Sequence, residues 1–205
     1  KTSLTMAANT KDIETWPTLS KGLHYNWLVD YAAFSAFGTF ELTAEEWEKR
    51  DLIVNFKGNS ELTTEIDHQQ ALEKAIQMVS SFLQEAFGAE QLAQLTLVCI
   101  PASLKKHTAR RFAQFSQAVC QATGMKNAYD AFSYTSSVDE DGDEVDELHI
   151  DIPYFEGKQV LLFDDIIASG GSMERFAEKL EAMGAKVVAA LALGKKISDG
   201  YDKDK

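Results

Sequence analysis

Two adjacent carboxylates, Asp164 and Asp165, are followed closely by Ala168-Ser169-Gly170-Gly171-Ser172, a turn of small and hydroxyl-bearing residues. Adjacent acids can accept hydrogen bonds from ligand hydroxyls or balance a cation, and they are costly to bury unless something pairs with them. A turn without bulk lets backbone N–H groups approach a ligand closely. Where such a turn opens a helix it forms an anion site, here with the hydroxyls of Ser169 and Ser172 as further donors. Ligand hydroxyls or a cation for the acids, and an anion for the turn, are the groups such a stretch can take.

The flanking residues supply the elements that must hold this chemistry. Val160-Leu161-Leu162-Phe163 is a short continuous apolar run, suited to a parallel strand buried on both faces and ending at the acids. Met173, Phe176, Ala177, Leu180 and Met183 then recur at helical spacing. A second buried strand is predicted over Leu95–Ile100. It runs into Pro101-Ala102-Ser103 and the cations Lys105, Lys106, His107, Arg110 and Arg111, before a helix carrying Phe112, Phe115, Val119 and Ala122 that stops at Gly124. Ligands in open α/β sheets bind outside the carboxyl ends of the strands, which sets these cations on the same rim as Asp164 and Asp165. A solvated helix start is the plain alternative, but cations there are mildly unfavourable, which favours a functional use.

Three rival readings of the paired acids fail on the rest of the chain. A Walker B segment needs a partner G-x-x-x-x-G-K-[ST], which is absent. A receiver fold needs far more than the forty residues that follow Asp165. No G-x-G-x-x-G fingerprint of a dinucleotide site occurs.

Val160–Ser172, VLLFDDIIASGGS, resembles the phosphoribosyl-diphosphate (PRPP) signature of the type I phosphoribosyltransferases, and all thirteen positions are compatible with it. The resemblance implies that Asp164 and Asp165 hold the ribose 2′ and 3′ hydroxyls and that Ala168, Ser169, Gly170, Gly171 and Ser172 grip the 5′-phosphate. It also implies that the Pro101, Ala102, Ser103 loop with Lys105 and Arg111 draws off pyrophosphate, and that Mg2+ rides on PRPP, with Asp164 and Asp165 nearby rather than as a dedicated metal cage. DDIIASGGSM looks most like the adenine-type branch, because 6-oxopurine enzymes carry a general-base aspartate where Ala168 stands. Ile100-Pro101-Ala102-Ser103, Arg111-Phe112 and Asn127–Phe132 are also similar to the ComF-like group, without the glycine of its Arg-Gly-Phe step. The implied partners are PRPP and an acceptor base. A non-catalytic phosphoribosyl-binding regulator or DNA-uptake accessory is the alternative.

The remaining sequence frames these expectations. With 205 residues and 45% apolar content the chain can bury a sizeable core. A net charge of −12 disfavours direct nucleic-acid binding. There is no membrane-length apolar run and no signal-peptide pattern, so the expected compartment is the cytoplasm. Cys99 and Cys120 read as buried thiols, and a homodimer is left open.

Thr43-Ala44-Glu45-Glu46 reads as a capping box opening a short helix. Asp51–Lys57 reads as a strand. Thr64 or Asp67 caps a long helix through Phe87, stopped by Gly88. Further strands are predicted over Tyr129–Tyr134, Leu148–Ile152 and Lys186–Leu193, with Lys195 and Lys196 beyond the last. Between the first two, Asp139–Glu147 holds seven carboxylates in nine positions and reads as a solvated hairpin tip. Calcium binding fails there, since an EF-hand needs Gly and Glu where Glu144 and Ile150 stand. Trp16, Tyr25, Trp27, Tyr31, Phe34, Phe37 and Phe40 suggest an aromatic mini-core ahead of a base-stacking surface.

The expected fold is α/β, a mostly parallel sheet flanked by helices, with a small N-terminal hood or appendage. Its divisions are an appendage at 1–50, the α/β domain at 51–197 and a polar tail at 198–205.

Overall fold

The computed structural model describes residues 13–32 and 42–197. Phe34, Phe37 and Phe40, most of the polar N-terminal stretch and the Ser198–Lys205 tail lie outside the described residues.

In chain order the elements are β1 (Tyr25–Ala32), α1 (Ala44–Lys57), α2 (Glu65–Ala86) and the short α3 (Ala89–Gln94). They continue with β2 (Leu95–Cys99), α4 (Lys105–Thr108), a π turn (Ala109–Ala113), α5 (Gln114–Thr123) and β3 (Lys126–Asn127). β4 (Phe132–Val138) and β5 (Glu144–Ile150) form an antiparallel hairpin; β6 (Gln159–Ile167), α6 (Gly171–Ala182) and β7 (Lys186–Ile197) complete the chain.

β1, β7, β6, β2 and β3 lie side by side in that order, every neighbouring pair parallel. From β2 the chain first steps outward to β3, then returns across to β6. The order of connection therefore reverses between β2 and β6, and the crevice outside their carboxyl ends is where such sheets take ligands.

Both faces are covered. On one, Phe56, Val79, Leu83, Phe112 and Phe115 pack on Leu97, Leu161, Phe163 and Leu191. On the other, Met173, Ala177 and Leu180 of α6 pack with Phe155 on Val98, Val160, Leu162 and Ala190. Among the described residues no helix is long and apolar enough to cross a membrane.

Several local expectations are corrected. The strand expected over Asp51–Lys57 is the second half of α1. Thr43 Oγ1 accepts from the Glu46 N–H at 3.2 Å while Glu46 Oε2 accepts from the Thr43 N–H at 2.7 Å. Once that box starts a helix, Leu52, Ile53 and Phe56 fall on one buried side. Gly58, at φ 67°, ends it. α2 is capped by Thr64 as expected, but Gly88 opens α3 rather than simply stopping a helix.

The expected boundary after residue 50 falls inside α1, and β1 is an edge strand of the main sheet, hydrogen-bonded along β7. Tyr129–Ala131 is one 3₁₀ turn, and β4 starts only at Phe132. Cross-strand pairing reaches Val138 and Glu144, which draws Glu144–Glu147 into β5 and leaves a shorter acidic tip. β7 extends past Leu193, so Lys195 and Lys196 are strand residues paired with Asp30 and Tyr31.

Candidate active site

β6 continues through the acid pair to Ile167, so Asp164 and Asp165 lie within the strand rather than past its end. They are, however, beyond the end of β2, whose last partner on β6 is Phe163. Successive strand residues face opposite sides, so Phe163 and Asp165 share one face while Leu162 and Asp164 share the other.

An aromatic cluster builds the surroundings of Asp165. Phe163 stacks on Phe115 with ring centroids 4.6 Å apart and meets Phe112 edge-on at 6.3 Å. Phe56 of α1 packs on Phe112 at 6.2 Å and on Phe115 at 5.4 Å. Lys57 follows Phe56 in sequence, and Arg111 precedes Phe112, so the buried rings deliver both cations to the same carboxylate. Lys57 Nζ lies 3.5 Å and Arg111 Nη1 3.6 Å from Asp165 Oδ2.

Neither contact is a hydrogen bond. Asp165 is 3% exposed, its Oδ1 accepts from the Ile166 N–H at 2.9 Å, and its Oδ2 is buried without a hydrogen-bond partner. Arg111 Nε is likewise buried and unpartnered. A buried acceptor and a buried donor both left open are costly unless a water or a ligand completes them. A hydroxyl of a ligand can replace such a water, donating to one and accepting from the other.

Asp164 has no cation of its own at ion-pair distance among the described residues. Its Oδ1 accepts from the Asp165 N–H at 2.8 Å. Burial first, and the neighbouring Asp165 charge second, push its carboxyl well above the usual carboxylate range.

The turn after β6 has the geometry expected of it. Gly170 adopts φ 84° and caps α6, with Ala168, Ser169 and Ser172 exposed. The Gly171 N–H donates to Ser169 Oγ at 3.4 Å, and Arg175 Nη2 donates to Ser172 Oγ at 3.3 Å. The first turn of α6 thus opens toward the rim, the disposition that favours an anion.

The N-terminal segment braces this turn, which no sequence motif announced. Glu174 accepts from Ser20 Oγ at 2.9 Å and from the Lys21 N–H at 2.9 Å. Leu19 lies so close to Gly170 that a Cβ there would fall 2.5 Å from Leu19 Cδ2. At the end of β7, Lys195 Nζ donates to the Tyr25 hydroxyl at 2.8 Å and lies 4.1 Å from the Trp27 ring centre.

The loop after β2 is engaged by the hairpin. Pro101 and Lys105 line a cavity of about 230 Å³ with Cys99, Phe112, Tyr129 and Tyr134. The Ala102 N–H donates to Thr108 Oγ1 at 2.8 Å, and its carbonyl accepts from the Tyr134 hydroxyl at 2.8 Å. Ser103 is exposed. The Lys105 N–H donates to Asp146 Oδ2 at 2.6 Å, while Lys106 Nζ meets Glu144 Oε2 at 2.6 Å. Arg110 turns to Glu65 and the Gly58 carbonyl.

Of the expected cations, then, only Arg111 reaches an acid of the pair; Lys105 forms no ion pair with either aspartate among the described residues. Lys57 was missed because its segment was read as a strand. A helix reading of the same residues would have put it one step beyond the buried Phe56.

Residues 63–205 match the family model described as a phosphoribosyl transferase domain. An adenine phosphoribosyltransferase of Agathobacter rectalis is 42% identical over 55 residues, 23% of this chain and 32% of the relative. The chain thus spans about a third of the length of that curated relative.

Solved structures with a similar fold include adenine phosphoribosyltransferase from Thermoanaerobacter pseudethanolicus, at 16% identity and TM-score 0.38 over 63% of this chain and 83% of that one. They also include a hypothetical protein from Neisseria gonorrhoeae with bound ppGpp, at 16% identity and TM-score 0.37 over 62% and 69%. A third is purine phosphoribosyltransferase from Pyrococcus horikoshii, at 14% identity and TM-score 0.35 over 60% and 71%. With the family model covering well over half of it, the chain belongs to the phosphoribosyl transferase domain family.

Proposed function

We propose that the protein binds PRPP and transfers its phosphoribosyl group to a nucleobase-type acceptor, with release of pyrophosphate. The observation that carries this reading is the open acceptor on Asp165 beside the open donor on Arg111, at the end of the strand that runs directly into the Gly170–Ser172 turn. A ribose hydroxyl donates to Asp165 Oδ2 and accepts from the Arg111 side. Asp164 takes the neighbouring hydroxyl on the other face, and the start of α6 holds the 5′-phosphate.

Transfer breaks the bond between C1 and the pyrophosphate oxygen, which leaves with the electron pair, and forms a bond from an acceptor nitrogen to C1. Cations of the Pro101–Arg111 segment lower the energy of the departing charge. Ala168, in place of a carboxylate, suits an adenine-type rather than a 6-oxopurine acceptor.

Mg2+ fits this site as a rider on pyrophosphate oxygens. A divalent ion directly on Asp165 Oδ2 would meet Lys57 and Arg111 at 3.5 and 3.6 Å from that oxygen. Bound there on the diphosphate, Mg2+ supplies charge neutralisation for the leaving group. Action in the cytoplasm, and as a homodimer, belongs to the same reading.

One observation favours a second reading, a non-catalytic phosphoribosyl or nucleotide-binding regulator of ComF-like type: acids of the hairpin sit on Lys105 and Lys106. Calorimetric titration with PRPP, with and without Mg2+, followed by pyrophosphate release across a panel of bases, separates the two. Binding with turnover supports transfer, and binding without turnover for any base supports the regulator. Absence of PRPP binding overturns transfer, and absence of binding by PRPP and by a panel of nucleotides overturns both.

A further inference from the structure

Glu144 and Asp146 stand two residues apart on β5 and so project from the same side of the strand. Both are turned onto the loop after β2. Asp146 Oδ2 accepts from the Lys105 N–H at 2.6 Å, and Glu144 Oε2 meets Lys106 Nζ at 2.6 Å. Ser136 is the partner of Asp146 across the hairpin. Tyr134 completes the attachment through the Ala102 carbonyl at 2.8 Å and Thr108 Oγ1 at 2.6 Å. Valine 145 and Glu147, on the opposite side of β5, are exposed.

The acidic tract is therefore not simply solvated. Two of its carboxylates occupy a backbone N–H and an ammonium group in the segment that a departing diphosphate must use. Carboxylate and phosphoryl oxygens compete for the same donors, since both are anionic acceptors that form short charge-assisted hydrogen bonds. Exposed contacts of this kind are weak, so a more highly charged anion can displace them.

We infer that the β4–β5 hairpin is an intramolecular stand-in for pyrophosphate, with Glu144 and Asp146 holding the donors of Lys105 and Lys106 until a diphosphate displaces them. The inference rests on the PRPP reading above and adds a gate to that site. The hairpin competes with the diphosphate end of the ligand and leaves the 5′-phosphate turn untouched. Its unpartnered Asp146 Oδ1, buried in the docked state, regains water on release.

The test uses the full chain and inorganic pyrophosphate, titrated by calorimetry into wild type, E144Q/D146N and E140Q/E147Q. The last pair removes the same formal charge from exposed positions. E144Q/D146N is expected to bind pyrophosphate about tenfold more tightly, the scale of one charge-assisted hydrogen bond no longer competed for. E140Q/E147Q is expected to stay within about twofold of wild type, the effect of screened distant charge.

In wild type, saturating pyrophosphate is expected to speed amide exchange in residues 132–150, a readout that stands even where E144Q/D146N folds poorly. Equal tightening by both variants, no tightening, or slower exchange in the hairpin overturns the inference. PRPP bound equally well by wild type and E144Q/D146N overturns the gate and leaves the PRPP reading standing. No heat from PRPP or pyrophosphate with any of the three chains removes both.

Discussion

Arg111 Nη1 stands 3.6 Å from Asp165 Oδ2 without donating a hydrogen bond to it, although the Asp165 side chain is only 4% exposed and that of Arg111 only 14%. Two charges this enclosed ordinarily close to direct contact. Phe112, next to Arg111 in sequence, packs edge-on against Phe163, two residues before Asp165 on the same face of β6.

Asp165→Asn strips Arg111 of its counter-charge in a buried setting. The variant is expected to lose about 2 kcal/mol of unfolding free energy and all PRPP binding. Lys57→Met, at a side chain 34% exposed, is expected to lose less than about 1 kcal/mol. Urea denaturation of the two variants measures the order, and equal losses would show that enclosure does not set it.

Asp164 gives the opposite signature. Its carboxyl is raised in the folded chain by burial and by Asp165, so the folded state keeps the proton to higher pH than the unfolded one. Stability is then greatest below the ordinary carboxyl range and falls as pH rises through the raised value. Asp164→Asn is expected to remove that slope and, at pH above the raised value, to be more stable than wild type. It loses PRPP binding all the same. Thermal unfolding across pH, paired with calorimetry, would expose a failure of either half.

Gly170→Ala places a Cβ at φ 84° and 2.5 Å from Leu19 Cδ2. The backbone alone costs about 1 kcal/mol, and the side chain of Leu19 must move as well. Gly171→Ala meets the end of Arg175 at 3.2 Å, which can swing aside, and Ser169 Oγ at an ordinary 3.6 Å. A lowered melting temperature is expected for Gly170→Ala but not for Gly171→Ala, whereas PRPP binding is expected to weaken in both, since both glycines belong to the turn proposed to hold the 5′-phosphate.

Glu174 anchors the N-terminal brace, and its carboxyl is held below the usual range chiefly by the Lys21 N–H, with the Ser20 hydroxyl adding to it. A depressed carboxyl stabilises the brace above its unfolded pKa and loses that effect as pH falls through the folded value. Amide exchange in residues 17–24 is expected to quicken in wild type over that acid range. Glu174→Gln is expected to exchange quickly at every pH, and an unaltered wild-type pattern would detach Glu174 from the brace.

Much of the parallel core was legible because its signals are local. The apolar run before Asp164, the period of Met173–Met183 and the capping box at Thr43 each need only neighbouring residues. What escaped depended on partners far along the chain. Asp51–Lys57 taken alone suits a strand, and only the box eight residues upstream makes it helical, which carried Lys57 out of view. β1 owes its place to pairing with β7, and its alternating aromatics looked like a cluster of their own. The acidic tract was read by composition, whereas the docking of Glu144 and Asp146 depends on which side of a strand each occupies.

Tyr25 and Lys195 are joined across 170 positions of sequence. During synthesis β1 stays without the β7 partner it must lie against until that strand, 170 positions further along, has been made. Closure of so long a loop comes late and slowly. The first strand therefore joins the sheet only after β6 and α6 have been made, and a nascent chain interrupted before β7 leaves the β6 edge unguarded.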